Sequence, residues 1–146
     1  MSPDPLVLFE TPTRGLRRRE LQEFALRLRS EVAKGGGFCC LISSDTHLQQ
    51  LNREFRHADY PTDVLSFPAP SPDGGLGEMA ISAQRAAEQG ARHGHDTHTE
   101  IRILMLHGLL HLLGYDHETD TGQMRRVETR WRKSLGLPTG LIERTK

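Results

Sequence analysis

Three histidines in the segment 105–117 have the spacing of a metal site. His107, His111 and His117 lie at i, i+4 and i+10, and Gly114 stands at i+7. Residues four apart on an α-helix share a face, so the first two imidazoles could reach one small ion. The third could join them only if the helix ended, and glycine tolerates the left-handed conformation that ends helices. Three neutral imidazoles with one open position are typical of a catalytic zinc site.

The residue after the first histidine limits the chemistry of such a site. The histidine spacing is that of the metalloprotease signature H-E-x-x-H-x-x-G-x-x-H. In those enzymes the glutamate acts as the general base, but Gly108 occupies its position here. The spacing of the ligands is kept and the base is missing, so peptide hydrolysis by that mechanism is disfavoured.

Composition and charge narrow the class of protein. The 146 residues predict a single domain, 1–146, that is large enough to bury a core. Nineteen basic and nineteen acidic residues cancel, so a generally cationic nucleic-acid binder is not indicated. The adjacent Cys39 and Cys40 allow no disulfide framework. No charged-then-apolar leader and no apolar run near 18 residues is evident, so we expect a cytoplasmic protein.

The apolar pattern predicts a mixed sheet of about four strands covered by helices, an α+β (α/β sandwich) fold. Strands are expected at 6–9, 38–43, 63–67 and 78–82, the last two as an antiparallel hairpin. Helices are expected at 16–34, from about 45 to 56, at 83–89, at 101–113 and from about 124 to 135. We expect Gly90 to end the third helix and a capping box, Thr97 with Glu100, to begin the fourth. That fourth helix is apolar nearly all round, which predicts a central buried position.

Other clusters of polar residues indicate a functional site less clearly than the histidines of 105–117. The segment 93–98 carries three histidines, and we interpret it as an exposed loop rather than a second metal site. His47 and His57 are isolated. The last helix has a basic side, which indicates a solvated face or a phosphate-contacting surface; its members are Arg125, Arg126, Arg130, Arg132 and Lys133, with Glu128 interrupting them.

Four blocks of the sequence resemble the YbeY family of bacterial endoribonucleases, which act in ribosomal RNA maturation. Residues 107–117 read H-G-L-L-H-L-L-G-Y-D-H and are similar to the family's H-G-x-L-H-L-x-G-Y-D-H. Residues 51–56, L-N-R-E-F-R, and residues 61–68, P-T-D-V-L-S-F-P, match its L-N-x-x-[FY]-R and P-T-D-V-L-S-F-P blocks. Residues 76–82 match its L-G-D-I-x-I-S strand, with Glu78 where aspartate is usual.

The resemblance implies a zinc-dependent endoribonuclease of the single-strand type, with one Zn²⁺ held by His107, His111 and His117. It implies that Arg56 is the functional arginine beside the metal, whereas the residues alone suggest a structural role for it. The implied task is 3′-end maturation of small-subunit ribosomal RNA and ribosome quality control. The implied partners are ribosomal RNA and the small subunit, with a small-subunit ribosomal protein or an assembly GTPase; neither DNA nor a membrane is expected.

Two other functions stay open on the sequence. One is a different zinc hydrolase, such as a metallopeptidase whose base comes from elsewhere in the chain. The other is a non-catalytic ribosome-assembly factor in which zinc only stabilises the fold. The general base and the residues that orient the histidines are not identifiable from the sequence.

Overall fold

A computed structural model of the chain describes residues 6–10, 15–56, 62–116 and 119–138. These residues form four strands, β1 (Val7–Phe9), β2 (Phe38–Ser43), β3 (Val64–Pro68) and β4 (Gly77–Ser82). They also form five helices: α1 (Arg18–Glu31), α2 (Asp45–Arg56), α3 (Ala83–His93), α4 (Thr97–Leu112) and α5 (Gln123–Leu135). The predicted α+β class and the order of the elements are confirmed. Most strands and helices begin or end within one to a few residues of the predicted bounds.

The four strands form one mixed sheet in the order β1-β2-β4-β3. β1 and β4 both run parallel to β2, and β3 runs antiparallel to β4 with Leu65 opposite Ala80. The predicted hairpin between the third and fourth strands is therefore confirmed. Its short connection suits antiparallel neighbours, whereas the parallel pairs need helical crossovers.

Alternation along β2 shows how the sheet separates two hydrophobic clusters. Phe38, Cys40 and Ile42 are buried in the main core with residues of α1 and α4, while Leu41 is half-buried on the opposite face. There, Leu48 of α2 packs in a smaller cluster with β3 and β4. The sheet is thus covered by helices on both faces. No helix in the described ranges has the length and apolar character that crossing a bilayer requires.

Helix α4 is the central buried element, as its sequence predicts. The ten consecutive residues 101–110 are buried except Arg102, and the helix packs against β3, β4, α1, α3 and α5. The predicted capping box is wrong: Asp96, not Thr97, caps the helix by accepting a hydrogen bond from the Thr99 amide at 2.8 Å. Glu100 instead turns into the interior, where one carboxylate oxygen lies 2.7 Å from His95 Nε2.

The prediction that Gly90 ends α3, with a loop from 91 to 96, is also wrong. The helix continues to His93 and ends at Gly94, whose φ of +80° is the left-handed conformation that glycine favours. Gly90 is needed for close packing instead, because a Cβ there would lie 2.7 Å from the carbonyl oxygen of His95. The sequence marks both glycines as helix breakers, and only the contact of Gly90 with the turn that follows α3 separates their roles.

The histidines of segment 93–98 are not uniformly exposed, which corrects the interpretation as an exposed loop. His98 is buried, and its Nε2 accepts a hydrogen bond of 2.7 Å from the Arg17 amide at the start of α1. Burial lowers the pKa of His98, which suits a neutral ring that accepts this bond. His95 pairs with Glu100, and His93 remains exposed. Two of the three rings therefore serve the packing of helix ends.

Gly108 allows α4 to approach the sheet closely. Its carbonyl oxygen accepts a buried hydrogen bond of 2.9 Å from Ser66 Oγ on β3. A Cβ at position 108 would lie 3.0 Å from Met79 Sδ, 3.2 Å from Ser66 Oγ and 3.3 Å from Val64 Cγ2. The glycine therefore faces the sheet, and a glutamate base at this position would have to enter packed interior.

We expect the substitution Gly108→Val to lower the free energy of unfolding by about 1–3 kcal/mol, because overpacking forces neighbouring side chains to shift. Urea denaturation of the purified protein measures this change. The matched control is Gly37→Val, since a Cβ at Gly37 meets no heavy atom within 4 Å. Equal losses in the two variants would contradict the close approach of α4 to β3.

Candidate metal centre

His107 and His111 converge at the C-terminal half of α4. Their Nε2 atoms lie 3.3 Å apart, and the ring planes cross at 77° with centroids separated by 4.8 Å. Two nitrogen atoms bound to one tetrahedral ion at about 2.0–2.1 Å lie about 3.3–3.4 Å from each other. The separation of the two imidazole nitrogens thus fits the edge of a tetrahedral metal site.

Glu128 of α5 orients the ring of His107. Its Oε1 lies 2.7 Å from His107 Nδ1, and both side chains are almost fully buried. A carboxylate oxygen at this distance requires the proton on Nδ1, because two lone pairs facing each other would repel. The lone pair of His107 is then on Nε2, which faces His111. This arrangement of a carboxylate behind a histidine is typical of metal ligands.

Arg132 neutralises the charge that Glu128 brings into the interior. Its Nη2 lies 2.5 Å from Glu128 Oε2, one helical turn away, and its Nη1 donates a 2.8 Å hydrogen bond to the carbonyl oxygen of Pro138. The arginine is only 1% exposed. An unpaired carboxylate would be costly to bury here, and Arg132 supplies the opposite charge beside it.

The assignment of Arg132 to an exposed basic side of the last helix is therefore wrong. Glu128 and Arg132 lie at i and i+4 and point inward together, whereas Arg125, Arg126 and Arg130 are exposed. The i, i+4 spacing of opposite charges was the available signal. It does not tell whether such a pair lies in solvent or in the core, so the sequence did not identify either residue.

Gly114 reverses the chain after the second histidine, as its place in the motif predicts. Its φ is +101°, and the Tyr115 amide donates back to the carbonyl oxygen of Leu110 at 3.1 Å. Asp120 then leads into α5, because its carboxylate accepts bonds from the amides of Gly122 and Met124. A pocket of about 430 Å³ lies along this turn, lined by residues 113–116, 119, 120 and 123.

The predicted roles of two site residues, His117 and Arg56, are not tested by these contacts. His117 lies outside the described residues, between the turn at Gly114 and Asp120. Arg56 is the last residue of α2, and its side chain likewise lies outside the described part. No group of three metal-ligating side chains occurs within the described ranges. The structure therefore brings together His107 and His111, and the roles of His117 and Arg56 stay predictions.

The two described histidines suit a divalent metal by their donor chemistry. Each presents Nε2 toward the same point, and His107 is held in the tautomer that leaves this atom unprotonated. Imidazole nitrogen is a preferred ligand of zinc, and two or three such ligands with an open position suit a reactive site.

Comparisons with known proteins assign this chain to a family. The family model described as Endoribonuclease YbeY matches residues 16–136. A protein of Solibacter usitatus named Endoribonuclease YbeY is 55% identical over 140 residues, covering 96% of this chain and 94% of the relative. A protein of the same name from Koribacter versatilis is 43% identical over 140 residues, covering 96% and 91%.

Similarity in structure agrees with the similarity in sequence. The solution structure of a Thermotoga maritima protein superposes with a TM-score of 0.61 at 25% identity, covering 89% of each chain. The fold and the histidine pair define an α+β domain whose buried helix presents imidazoles near its C-terminal end. The chain belongs to the Endoribonuclease YbeY family, a family of hydrolytic enzymes that cleave RNA internally.

The buried chain from His107 through Glu128 to Arg132 predicts strong coupling between its members. We expect Glu128→Leu and Arg132→Met each to lower the free energy of unfolding by about 3–5 kcal/mol, because each leaves a buried charge without its partner. The double variant should lose only about 1–3 kcal/mol, the cost of leaving His107 Nδ1 without an acceptor. Urea denaturation of the four proteins of the cycle measures the coupling. If the loss in the double variant equals the sum of the two single losses within about 0.5 kcal/mol, the coupling is contradicted.

Proposed function

We propose that this chain is a zinc-dependent endoribonuclease that processes ribosomal RNA. The observation that carries the proposal is the convergence of His107 and His111 on one point, with Glu128 holding the first ring, in a chain that belongs to an endoribonuclease family. His117 would complete the ligand set from the far side of the Gly114 turn. A zinc ion bound there would supply a Lewis acid and a means to activate water for attack on phosphorus.

The residues of the chain have separate tasks in this proposal. Glu128 would keep the proton on His107 Nδ1, so that Nε2 carries the lone pair that would bind the metal. Arg56 would bind a phosphate oxygen and stabilise the extra negative charge that develops when the phosphodiester is attacked. Gly108 faces the sheet and contributes no base, so the proton of the nucleophile, water or the RNA 2′-hydroxyl, must leave by another group.

The substrate that we propose is single-stranded RNA of the small ribosomal subunit, at the 3′ end of its ribosomal RNA. The proposal includes a role in ribosome quality control and contact with a small-subunit ribosomal protein or an assembly GTPase. The names of the relatives support RNA cleavage, and the ribosomal context follows from the family resemblance. Such a protein would work in the cytoplasm, where ribosomal particles mature.

We expect His111→Ala to remove bound zinc and RNA cleavage together. Zinc content is measured by mass spectrometry of the purified protein, and cleavage with small-subunit ribosomal RNA fragments. The matched control is His93→Ala, which deletes an exposed imidazole at the C-terminal end of α3. This variant should keep its zinc content and its RNA cleavage. RNA cleavage that persists in the zinc-free variant, with contaminating nucleases excluded, would refute the proposal. Cleavage of unstructured peptides instead of RNA would favour a metallopeptidase.

We expect Arg56→Ala to lower the rate of RNA cleavage by about 10²–10³-fold while zinc content and unfolding midpoint stay unchanged, because a charge-stabilising donor is removed. Single-turnover cleavage kinetics measure this effect. Arg53→Ala, an exposed arginine of the same helix, is the matched control and should keep its rate. Full activity in Arg56→Ala would favour the non-catalytic assembly factor or a different phosphate ligand.

A further inference from the structure

The exposed side of α5 carries a continuous row of positive charge. Arg126, Arg130 and Lys133 lie at i, i+4 and i+7, so their side chains share one face of the helix. All three are exposed, and the buried residues of α5 lie on the opposite side: Met124, Glu128, Arg132 and Leu135. Arg125 is also exposed, on the flank of this row. We call Arg126, Arg130 and Lys133 the α5 basic strip.

No carboxylate of α5 compensates the strip. The only acidic residue from Gln123 to Leu135 is Glu128, which is buried and pairs with Arg132. Some cations elsewhere have carboxylate neighbours: the exposed Arg27 lies 2.8 Å from Glu31 on α1, and the half-buried Arg85 lies 2.9 Å from Asp45. A chain whose total charge is zero thus concentrates positive charge on one helix face, at Arg126, Arg130 and Lys133.

This arrangement weakens the helix by itself. Like charges at i, i+4, such as Arg126 and Arg130, destabilise a helix by about 0.2–0.5 kcal/mol per pair. Arg125 and Arg126 also lie in the first turn, where positive charge opposes the helix dipole. A bound polyanion would remove both penalties, which gives the strip a physical reason for binding one.

The side chains of the strip suit phosphate oxygens. Arg125, Arg126, Thr129 and Arg130 line a shallow, open groove on the helix surface. Arg126 uses one Nη1 hydrogen bond of 3.4 Å to the carbonyl oxygen of Thr121, so most donors of its guanidinium remain for a ligand. Planar guanidinium groups bind phosphate with paired hydrogen bonds, and the strip has two of them, at Arg126 and Arg130.

The strip is rigidly connected to the candidate metal centre. Glu128, which holds His107, lies on the inner side of the same helix, about one helix diameter of ~10–12 Å from the outer face. A nucleic acid chain that lies along the strip would therefore pass close to the centre without touching the histidines. The strip would contribute affinity and alignment, and the metal centre would contribute the chemistry.

We propose that the α5 basic strip binds the phosphate backbone of the RNA substrate. This inference rests on the proposed function for the identity of the polyanion. It assigns the strip no contact with bases, so binding should be independent of RNA sequence and strongly dependent on salt.

The test compares Arg126→Ala/Arg130→Ala with a charge-matched control, Arg19→Ala/Arg92→Ala, which also removes two exposed arginines. Binding of a fluorescent single-stranded RNA is measured by anisotropy in the His111→Ala background, so that the probe stays intact. We expect the strip variant to bind about tenfold more weakly. The slope of log K against log salt should fall by about 1.4, the value for two lost contacts with a single strand. The control should bind like its parent.

Cleavage by the same strip variant with His111 intact separates the outcomes. We expect a raised KM with kcat retained at saturating RNA, because the strip aligns the substrate and does not react. Unchanged RNA affinity and salt slope would overturn the inference and leave an acidic protein surface as the partner of the strip. An equal loss in the control would also overturn it. If RNA affinity depends on the strip but the protein with His111 intact cleaves no RNA, the proposed function is refuted and the inference about the strip stands.

Discussion

The hydrogen bond between His107 and Glu128 is the interaction on which the rest of the centre depends. An imidazole in the middle of a buried apolar helix needs a polar partner, since leaving Nδ1 unpaired would cost about 1–3 kcal/mol. Glu128 supplies that partner at 2.7 Å, and in turn requires a cation because a lone carboxylate is costly to bury. Arg132 meets that need and also binds the carbonyl oxygen of Pro138. The ring of His107 thus constrains how α5 packs on α4.

A second constraint comes from the approach of α4 to the sheet. The bond from Ser66 Oγ to the carbonyl oxygen of Gly108, and the short distances around a Cβ there, mean that a side chain would force its neighbours to shift. The position that holds the base in metallopeptidases with the same histidine spacing is used here for packing. The two constraints act on adjacent residues of one helix, so His107 turns toward α5 while Gly108 turns toward β3.

Most of the secondary structure could be predicted because it follows from local periodicity and turn residues. The alternation in β2, the apolar sequence of α4 and the left-handed Gly114 are signals within a few residues of each other. Two of the errors, at Gly90 and Thr97, have a common cause. Gly90 resembles a helix terminator and Thr97 resembles a cap, but the contact with His95 and the carboxylate of Asp96 decide these positions. Such contacts involve the neighbouring turn and not the helix itself.

The sequence by itself determined the histidine spacing, the turn at Gly114, the missing base at Gly108 and the order of the strands and helices. These depend on residue type and on distances along one helix, which the backbone geometry makes regular. Only the tertiary structure decided that Glu128 and Arg132 face inward while Arg126 and Arg130 face outward. All four are charged residues of a single helix, and their orientation depends on the partner that packs against each face. Glu128 is buried because its partner is His107, 21 residues earlier in the chain. No pattern within α5 indicates that partner.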